Sequence, residues 1–369
     1  MTSRPINSDT ALRDACGRWA QSGAIGIDTE FVRERTFHPL PALIQVSDAE
    51  GVILIDVTAL ERLSPLAEIL AANAPIKVMH AFSEDLEVLA IAAGCEPDAV
   101  FDTQLAGAFC GYGYSLGYRS LVEAMLGIHV DKGETRSDWL RRPLSPAQLR
   151  YAALDAEHLL PMYQKLDAQL AALDRRPWLE EEERHVRRAR ERDKRPELAY
   201  LKVKDRLRLS PEDHALLRAL AEWREREAMA RDRPRRHVLA DGALVAIAES
   251  RPRSVDALRY IDGISDRAAS RYAEAVLSRV DAASGREPGA EDRPLDLRPH
   301  AGTLKRLKAL VKDAAKKHDL PPELLANRRA LESLLMATLG DQAPPAEFLG
   351  WRAQVITGAL LQCIHEAKQ

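Results

Sequence analysis

Along the first sixty positions, apolar residues alternate with polar ones or gather into short β-branched runs: IGIDTEF (25–31), LIQVS (43–47) and VILIDV (52–57). Runs this short, rich in Ile and Val and closely spaced, predict three adjacent strands folded as a meander. The period then lengthens. A helix is expected near 64–72, with Ser64 as its N-cap and Pro65 at its first position. IKVMHA (76–81) reads as a further strand, and SEDLEVLAIAA (83–93) as a helix capped by Ser83. Helices are also expected over 103–110, 118–126 and 145–170. Strands covered by helices predict an α/β or α+β layered domain with a mixed sheet, placed at residues 1–175.

Past residue 175 the strand pattern stops. Residues 176–206 contain EEERHVRRARERDKR and are expected to form a charged helical linker. A helical block at 207–285 carries EWREREAMARDRPRRHVLADGALVAIA. The Gly-, Pro- and Asp-rich stretch that follows marks 286–300 as a second linker. A last helical block occupies 301–369, where LLANRRALESLL echoes HVLADGALVAIA, as two diverged copies of one module would.

Composition narrows the class. At 369 residues, two or three domains are expected, and 46% hydrophobic content leaves enough apolar surface for real cores. The longest apolar runs, such as VILI at 52–55, are strand-sized and far short of the roughly 20 residues that span a bilayer, so no membrane partner is expected. MTSRPINSDT at the start has no apolar signal core, and Cys16, Cys95, Cys110 and Cys363 are scattered with no CxxC pair. Both features point to a cytoplasmic protein with reduced thiols and no zinc site. The net charge of −3 is unevenly shared: residues 1–160 hold 13 Lys/Arg against 22 Asp/Glu, leaving 40 against 34 for the remainder. An acidic metal site ahead of a polyanion-binding surface fits this asymmetry, and so does ordinary charge coating on helices.

Five residues in three blocks then stand out. Asp28 and Glu30 lie two apart on an expected strand, so both leave the same face. Tyr151 and Asp155 lie four apart on an expected helix, again on one face, and Asp85 sits near the start of its helix. Acids within apolar strands and helices cost stability unless something binds them. Convergent carboxylates that stay ionised call for a cation, and hard divalent ions such as Mg²⁺ or Mn²⁺ suit oxygen donors. Two such ions about 3.5–4 Å apart activate a water and stabilise the leaving oxygen of a phosphodiester. In this arrangement Asp28 bridges the two metals, Glu30 and Asp155 complete one site, and Asp85 supports the other. Tyr151 orients the attacking water, because a phenol with a pKa near 10 is a poor general base.

These blocks carry a resemblance. The chain resembles the ribonuclease D family of the DEDD exonuclease superfamily, in its tyrosine-bearing subgroup, through IDTEFVRERTFHPLPALIQVS, FDTQLAGAFCGYGYSLGYRSLVE and DKGETRSDWLRRPLSPAQLRYAALDAEHLL. The two helical blocks look like the helicase-and-ribonuclease-D C-terminal (HRDC) modules of that family. The resemblance implies an α/β ribonuclease-H-like exonuclease domain with a mixed sheet, followed by two all-α HRDC domains. It further implies two divalent metals, catalytic residues at the five positions just named, and 3′→5′ trimming of structured RNAs, notably tRNA precursors, with release of nucleoside 5′-monophosphates. The expected partner is RNA with a single-stranded 3′ end, the expected state a monomer.

Other features are weaker. GYGYSLG (111–117) follows an expected helix and has the wrong spacing for a dinucleotide fingerprint, and no GxxxxGK occurs, so no nucleotide cofactor is expected. Phe31, Arg33, Arg35, Gln45, His80 and Trp139 are candidate substrate neighbours. Arg231, Arg233, Arg235 and Arg236 form a cluster suited either to phosphate contacts or to a structural loop. His158 reads as a packing or surface residue, and Trp223 as a core residue. Three rival readings are a DNA exonuclease of the same superfamily, an inactive nucleic-acid scaffold and a phosphodiesterase acting on small nucleotides.

Overall fold

The structure is a computed structural model that describes residues 5–368, apart from 132, 134–136, 286–288 and 290–296. Part of DKGETRSDW and most of the second linker therefore lie outside the described residues. In chain order the elements are α1 (Asp9–Trp19), β1 (Ala24–Val32), β2 (Leu40–Asp48), β3 (Gly51–Asp56), α2 (Ser64–Ala71), β4 (Ile76–Met79), α3 (Asp85–Ala93), β5 (Val100–Asp102), α4 (Thr103–Phe109), α5 (Tyr118–Leu126), α6 (Pro146–Glu157), α7 (Leu159–Ala172) and α8 (Arg176–Asp193). There follow α9 (Pro211–Ala230), α10 (Arg235–Val238), α11 (Asp241–Ser250), α12 (Val255–Arg259), α13 (Asp266–Ala283), α14 (Ala301–His318), α15 (Pro322–Leu325), α16 (Arg328–Leu339) and α17 (Gly358–Lys368). None of these helices is long and apolar enough to cross a membrane.

The expected meander is present. The sheet order is β3-β2-β1-β4-β5, with β1, β2 and β3 antiparallel and β4 and β5 parallel to β1, which makes the sheet mixed. The register between β1 and β2 shifts between Glu30 and Phe31, as at a β-bulge, and pairing resumes at Phe31 and Val32. On one face, Ile25 and Ile27 pack with Ile44, Val46, Ile55 and Leu86. The other face receives α6 and α7, and Leu159 lies so close over Gly26 that a side chain there would collide with it.

Local details depart from the sequence expectation at several ends. Leu63 caps α2, so Ser64 is already helical. Helix α3 begins at Asp85 with Glu84 as N-cap and no side-chain cap bond, so Ser83 does not serve as cap. Helix α6 starts as expected from Ser145, whose side chain and that of Gln148 form a reciprocal capping box with Pro146 in the first turn. The single helix expected over 145–170 is two helices, broken at His158. Helix α1 and strand β5 are additions to the elements expected from the sequence.

The chain forms two compact units: residues 1–32, 40–187 and 297–369 in one, residues 33–39 and 188–296 in the other. The block at 301–369, expected as a separate domain, thus shares a unit with the sheet. The cause is a common core in which Leu307, Val311, Leu334 and Leu360 cluster with Phe109, Leu121, Met162 and Leu166. Trp351 stacks on Trp178 at 5.3 Å and meets Phe109 edge-on at 5.2 Å. Helix α8 is no mere linker, because its acids are structural within this unit. Glu183 accepts the Asp102 backbone N–H at 2.7 Å, and Glu182 takes a forked pair of bonds from Arg352 at 2.7 and 2.9 Å.

In the second unit, α9, α11 and α13 enclose Leu216, Leu220, Leu244 and Val276, with Phe37 from the short segment 33–39 joining that core. Trp223 packs against Tyr272 in the interior, as its packing role required. The two helical blocks share one device. Arg224 donates to the Leu239 carbonyl just past α10, and Arg352 donates to the carbonyl of Leu325, the last residue of α15, in VLAD and LLAN respectively.

Candidate active site

Strand β1 delivers Asp28 and Glu30 to the face covered by α6, and α6 returns Tyr151 and Asp155 one turn apart. Carboxylate oxygens of Asp28, Glu30 and Asp155 lie within 4.8 Å of one another. Asp85 approaches from the start of α3 and is held there by a hydrogen bond from the Thr29 hydroxyl. The structure thus brings three acids into one donor set and sets the fourth beside it.

The electrostatics follow from crowding acids out of water. Burial, followed by the charges of Asp85, Asp155 and Glu30, pushes the Asp28 carboxyl well above the usual range. Burial together with Asp155 and Asp85 raises Glu30 to about 8. Burial raises Asp85 to about 7, with the Thr29 bond pulling in the other direction. Asp155 is raised by burial and partly relieved by a hydrogen bond from the Tyr151 hydroxyl and by Arg119. Tyr151 is pushed above the ordinary phenol value by burial and by Asp155. A set of hard oxygen donors that resists ionising alone is the chemistry a divalent cation satisfies, by replacing the protons.

A cavity of about 290 Å³ opens on this set and is walled by Asp28, His80, Tyr118, Arg119, Tyr151 and Asp155 among others. The His80 ring is fixed on both nitrogens, Nδ1 to the Thr103 hydroxyl at 2.9 Å and Nε2 to the Leu116 carbonyl at 3.1 Å. Burial lowers its pKa, with Asp102 pulling the other way. Arg119 lies over the Tyr151 ring, 5.2 Å from its centroid. Tyr118 and Arg119 escaped the sequence reading, since nothing in an amphipathic helix at 118–126 singles out its first two residues. The glycine-rich loop that ends at Gly117, another wall residue, was the one available signal.

The remaining candidates scatter. Phe31 is half-buried just past the register shift. Gln45 pairs directly across from Asp28 but is 0% exposed, which removes it from contact with a polymer substrate. Trp139, 3% exposed, packs with Leu43, Leu54 and Leu144 and backs the Tyr151 ring at 6.0 Å, so it too is support rather than a substrate surface. In the second unit, Arg33 donates to the Phe37 carbonyl. Arg231 pairs with Glu227, and Arg235 pairs with Glu225 and lies over the Phe37 ring. Asp232, between Arg231 and Arg233, accepts the backbone N–H groups of Phe37 and His38. The structural role of this loop therefore occupies Arg231 and Arg235, while Arg35, Arg233 and Arg236 are exposed.

Comparison with known proteins agrees along the whole length. A family model described as 3′-5′ exonuclease matches residues 3–171, the HRDC domain matches 213–280, and the ribonuclease D C-terminal HRDC domain matches 300–360. The chain is 37% identical to ribonuclease D of Pseudomonas paraeruginosa over 98% of this chain and 97% of that one. It is 34% identical to ribonuclease D of Escherichia coli, with full coverage of both. The crystal structure of Escherichia coli RNase D, described as an exoribonuclease involved in structured RNA processing, superposes with a TM-score of 0.90 over 99% of each chain at 33% identity. The catalytic core of RRP6 from Trypanosoma brucei shares the fold, with a TM-score of 0.55 at 20% identity over 76% of this chain and 79% of that one.

Proposed function

Because the chain belongs to the ribonuclease D family of 3′-5′ exoribonucleases, we propose that it trims the 3′ ends of structured RNAs, notably tRNA precursors, by two-metal hydrolysis that releases nucleoside 5′-monophosphates. The observation that carries this reading is the convergence of Asp28, Glu30 and Asp155 oxygens within 4.8 Å beside an open cavity. Two divalent ions, Mg²⁺ or Mn²⁺, would supply activation of the attacking water and charge at the leaving 3′-oxygen. Asp28, Glu30 and Asp155, whose oxygens already converge, would hold the ions, with Asp85 beside them.

The protein groups divide the remaining tasks. Tyr151 keeps its proton, since burial and Asp155 both hold it above the usual value, so it orients the nucleophile as a hydrogen-bond partner and is not the base. Arg119 brings a cation to the cavity wall next to Tyr151, where a phosphate oxygen of the terminal nucleotide would sit. His80 and Tyr118 line the same cavity and would limit access of bulk water to it. The exposed Arg233 and Arg236 are left to meet RNA phosphates. We place the enzyme in the cytoplasm as a monomer, a setting that suits its four unpaired cysteines.

The test is a time course on a 5′-labelled RNA with a structured body and a single-stranded 3′ tail. It compares Mg²⁺, Mn²⁺ and EDTA for wild type and Asp155→Ala, with a matched DNA alongside. A ladder shortening from the 3′ end, dependent on metal and lost in the variant, is the expected result. Tight RNA binding without cleavage under either metal would refute the reading, and equal cleavage of the DNA would refute the choice of RNA.

A further inference from the structure

Helix α6 stops at Glu157 and α7 begins at Leu159, so the break falls three residues after Asp155. Pro161 explains why a break occurs nearby, because it has no N–H for the Glu157 carbonyl and its ring crowds that carbonyl. It does not explain how the break is held. In a continuous helix the His158 N–H would donate to the Leu154 carbonyl. Here it donates to the Tyr118 hydroxyl at 3.0 Å, and that hydroxyl donates to the Leu154 carbonyl at 2.8 Å. One phenol oxygen is inserted into the backbone ladder on either side of Asp155. A side chain inserted in this way is a recognised cause of a sharp helix bend.

We propose that Tyr118 is a positioning residue for the metal site: its hydroxyl, bridging Leu154 and His158, sets the direction in which Asp155 leaves α6. The inference rests on the reading of Asp155 as a metal ligand. Three observations support it. The captured carbonyl belongs to the residue immediately before Asp155, so the bridge acts on the peptide that carries the ligand. The Tyr118 ring is itself clamped, edge-on to His80 at 5.7 Å, and His80 is bonded on both ring nitrogens. The next residue, Arg119, lies over the Tyr151 ring, so the start of α5 holds both site residues of α6, one through the backbone and one through its ring. Without the hydroxyl, Leu154 and His158 can close their own helical bond. That closure removes the inserted oxygen, straightens the turn and swings Asp155 away from Asp28 and Glu30.

The experiment uses the full chain and Mn²⁺ binding by calorimetry, with a thermal scan on the same samples. Tyr118→Phe is expected to unfold cooperatively near the wild-type temperature yet bind Mn²⁺ on the order of tenfold more weakly. In an Asp155→Asn background, where the ligand is already lost, Tyr118→Phe should weaken Mn²⁺ binding no further. Unchanged Mn²⁺ affinity in Tyr118→Phe would overturn the proposal, as would a variant that no longer folds, because the hydroxyl would then be a structural support only. An additive loss in the Asp155→Asn background would overturn it too. Wild type that binds no Mn²⁺ would overturn the reading of the site itself, and this proposal with it.

Discussion

The Thr29 hydroxyl donates to the Asp85 carboxylate and ties the middle of β1 to the first turn of α3. Thr29 lies between Asp28 and Glu30, so by strand alternation it points to the opposite face from both. Asp85 is therefore steered by a residue whose immediate neighbours supply two of the other acids, and the same bond works against the effect of burial on its carboxyl. An ionised Asp85 is what a cation needs, and a proton competes for it below its pKa. Thr29→Val removes the donor and should raise that pKa from about 7. With Mn²⁺ below saturation, the acid limb of the pH–rate profile is expected to move up by about one unit. A limb that stays in place would mean that the Asp85 proton is not the one that leaves.

The metal-free protein should lose stability as the pH rises. Asp28, Glu30, Asp85 and Asp155 all hold their protons more tightly in the folded protein than free carboxyls do. For such groups, stability is full below the unfolded value and declines as the pH climbs to the folded one. For Glu30 that window runs from 4.5 to about 8. Glu182, held down to about 2 by His185 and Arg352 against the pull of burial, acts in the opposite sense, and only below 4.5. Melting temperatures in EDTA should fall between pH 5 and pH 8, and saturating Mn²⁺ should flatten the slope. The variant Asp28→Asn should do the same without metal.

Arg352 should matter to stability well beyond a surface ion pair. It is 7% exposed, forks onto Glu182, and also donates to the Leu324 and Leu325 carbonyls. Arg352→Met leaves two carbonyls without that donor and a half-buried carboxylate with only Trp351 Nε1 and His185 as partners. A loss of about 3–5 kcal/mol is expected in denaturant unfolding, and a loss under 1 kcal/mol would show that the pair is replaceable.

The arginine cluster should split in two. Arg235 neutralises Glu225, which is 2% exposed, so Arg235→Ala should lower the melting temperature with little specific effect on RNA. Arg233 is exposed, and Arg233→Ala should leave melting unchanged. RNA binding of Arg233→Ala should weaken, with the slope of log affinity against log salt reduced by about one. Titrations at three salt concentrations would reveal either reversal.

The pairing of the acids was legible without a fold, because it depends only on backbone periods. Positions two apart on a strand and four apart on a helix share a face whatever surrounds them, so Asp28 with Glu30 and Tyr151 with Asp155 could be read directly. The meander was legible for the same reason. Burial is not local, and only the tertiary structure decided it. Gln45 looks like a polar neighbour of the site until β1 and β3 flank it and enclose its side chain. The acids of α8 look solvated until Glu183 meets an Asp102 N–H 81 positions earlier and Glu182 meets Arg352, 170 positions later. The break at His158 is held by a phenol 40 residues upstream. A charged or polar side chain has the same local signature in water and in a core, and the difference lies in partners that come near only when distant segments pack.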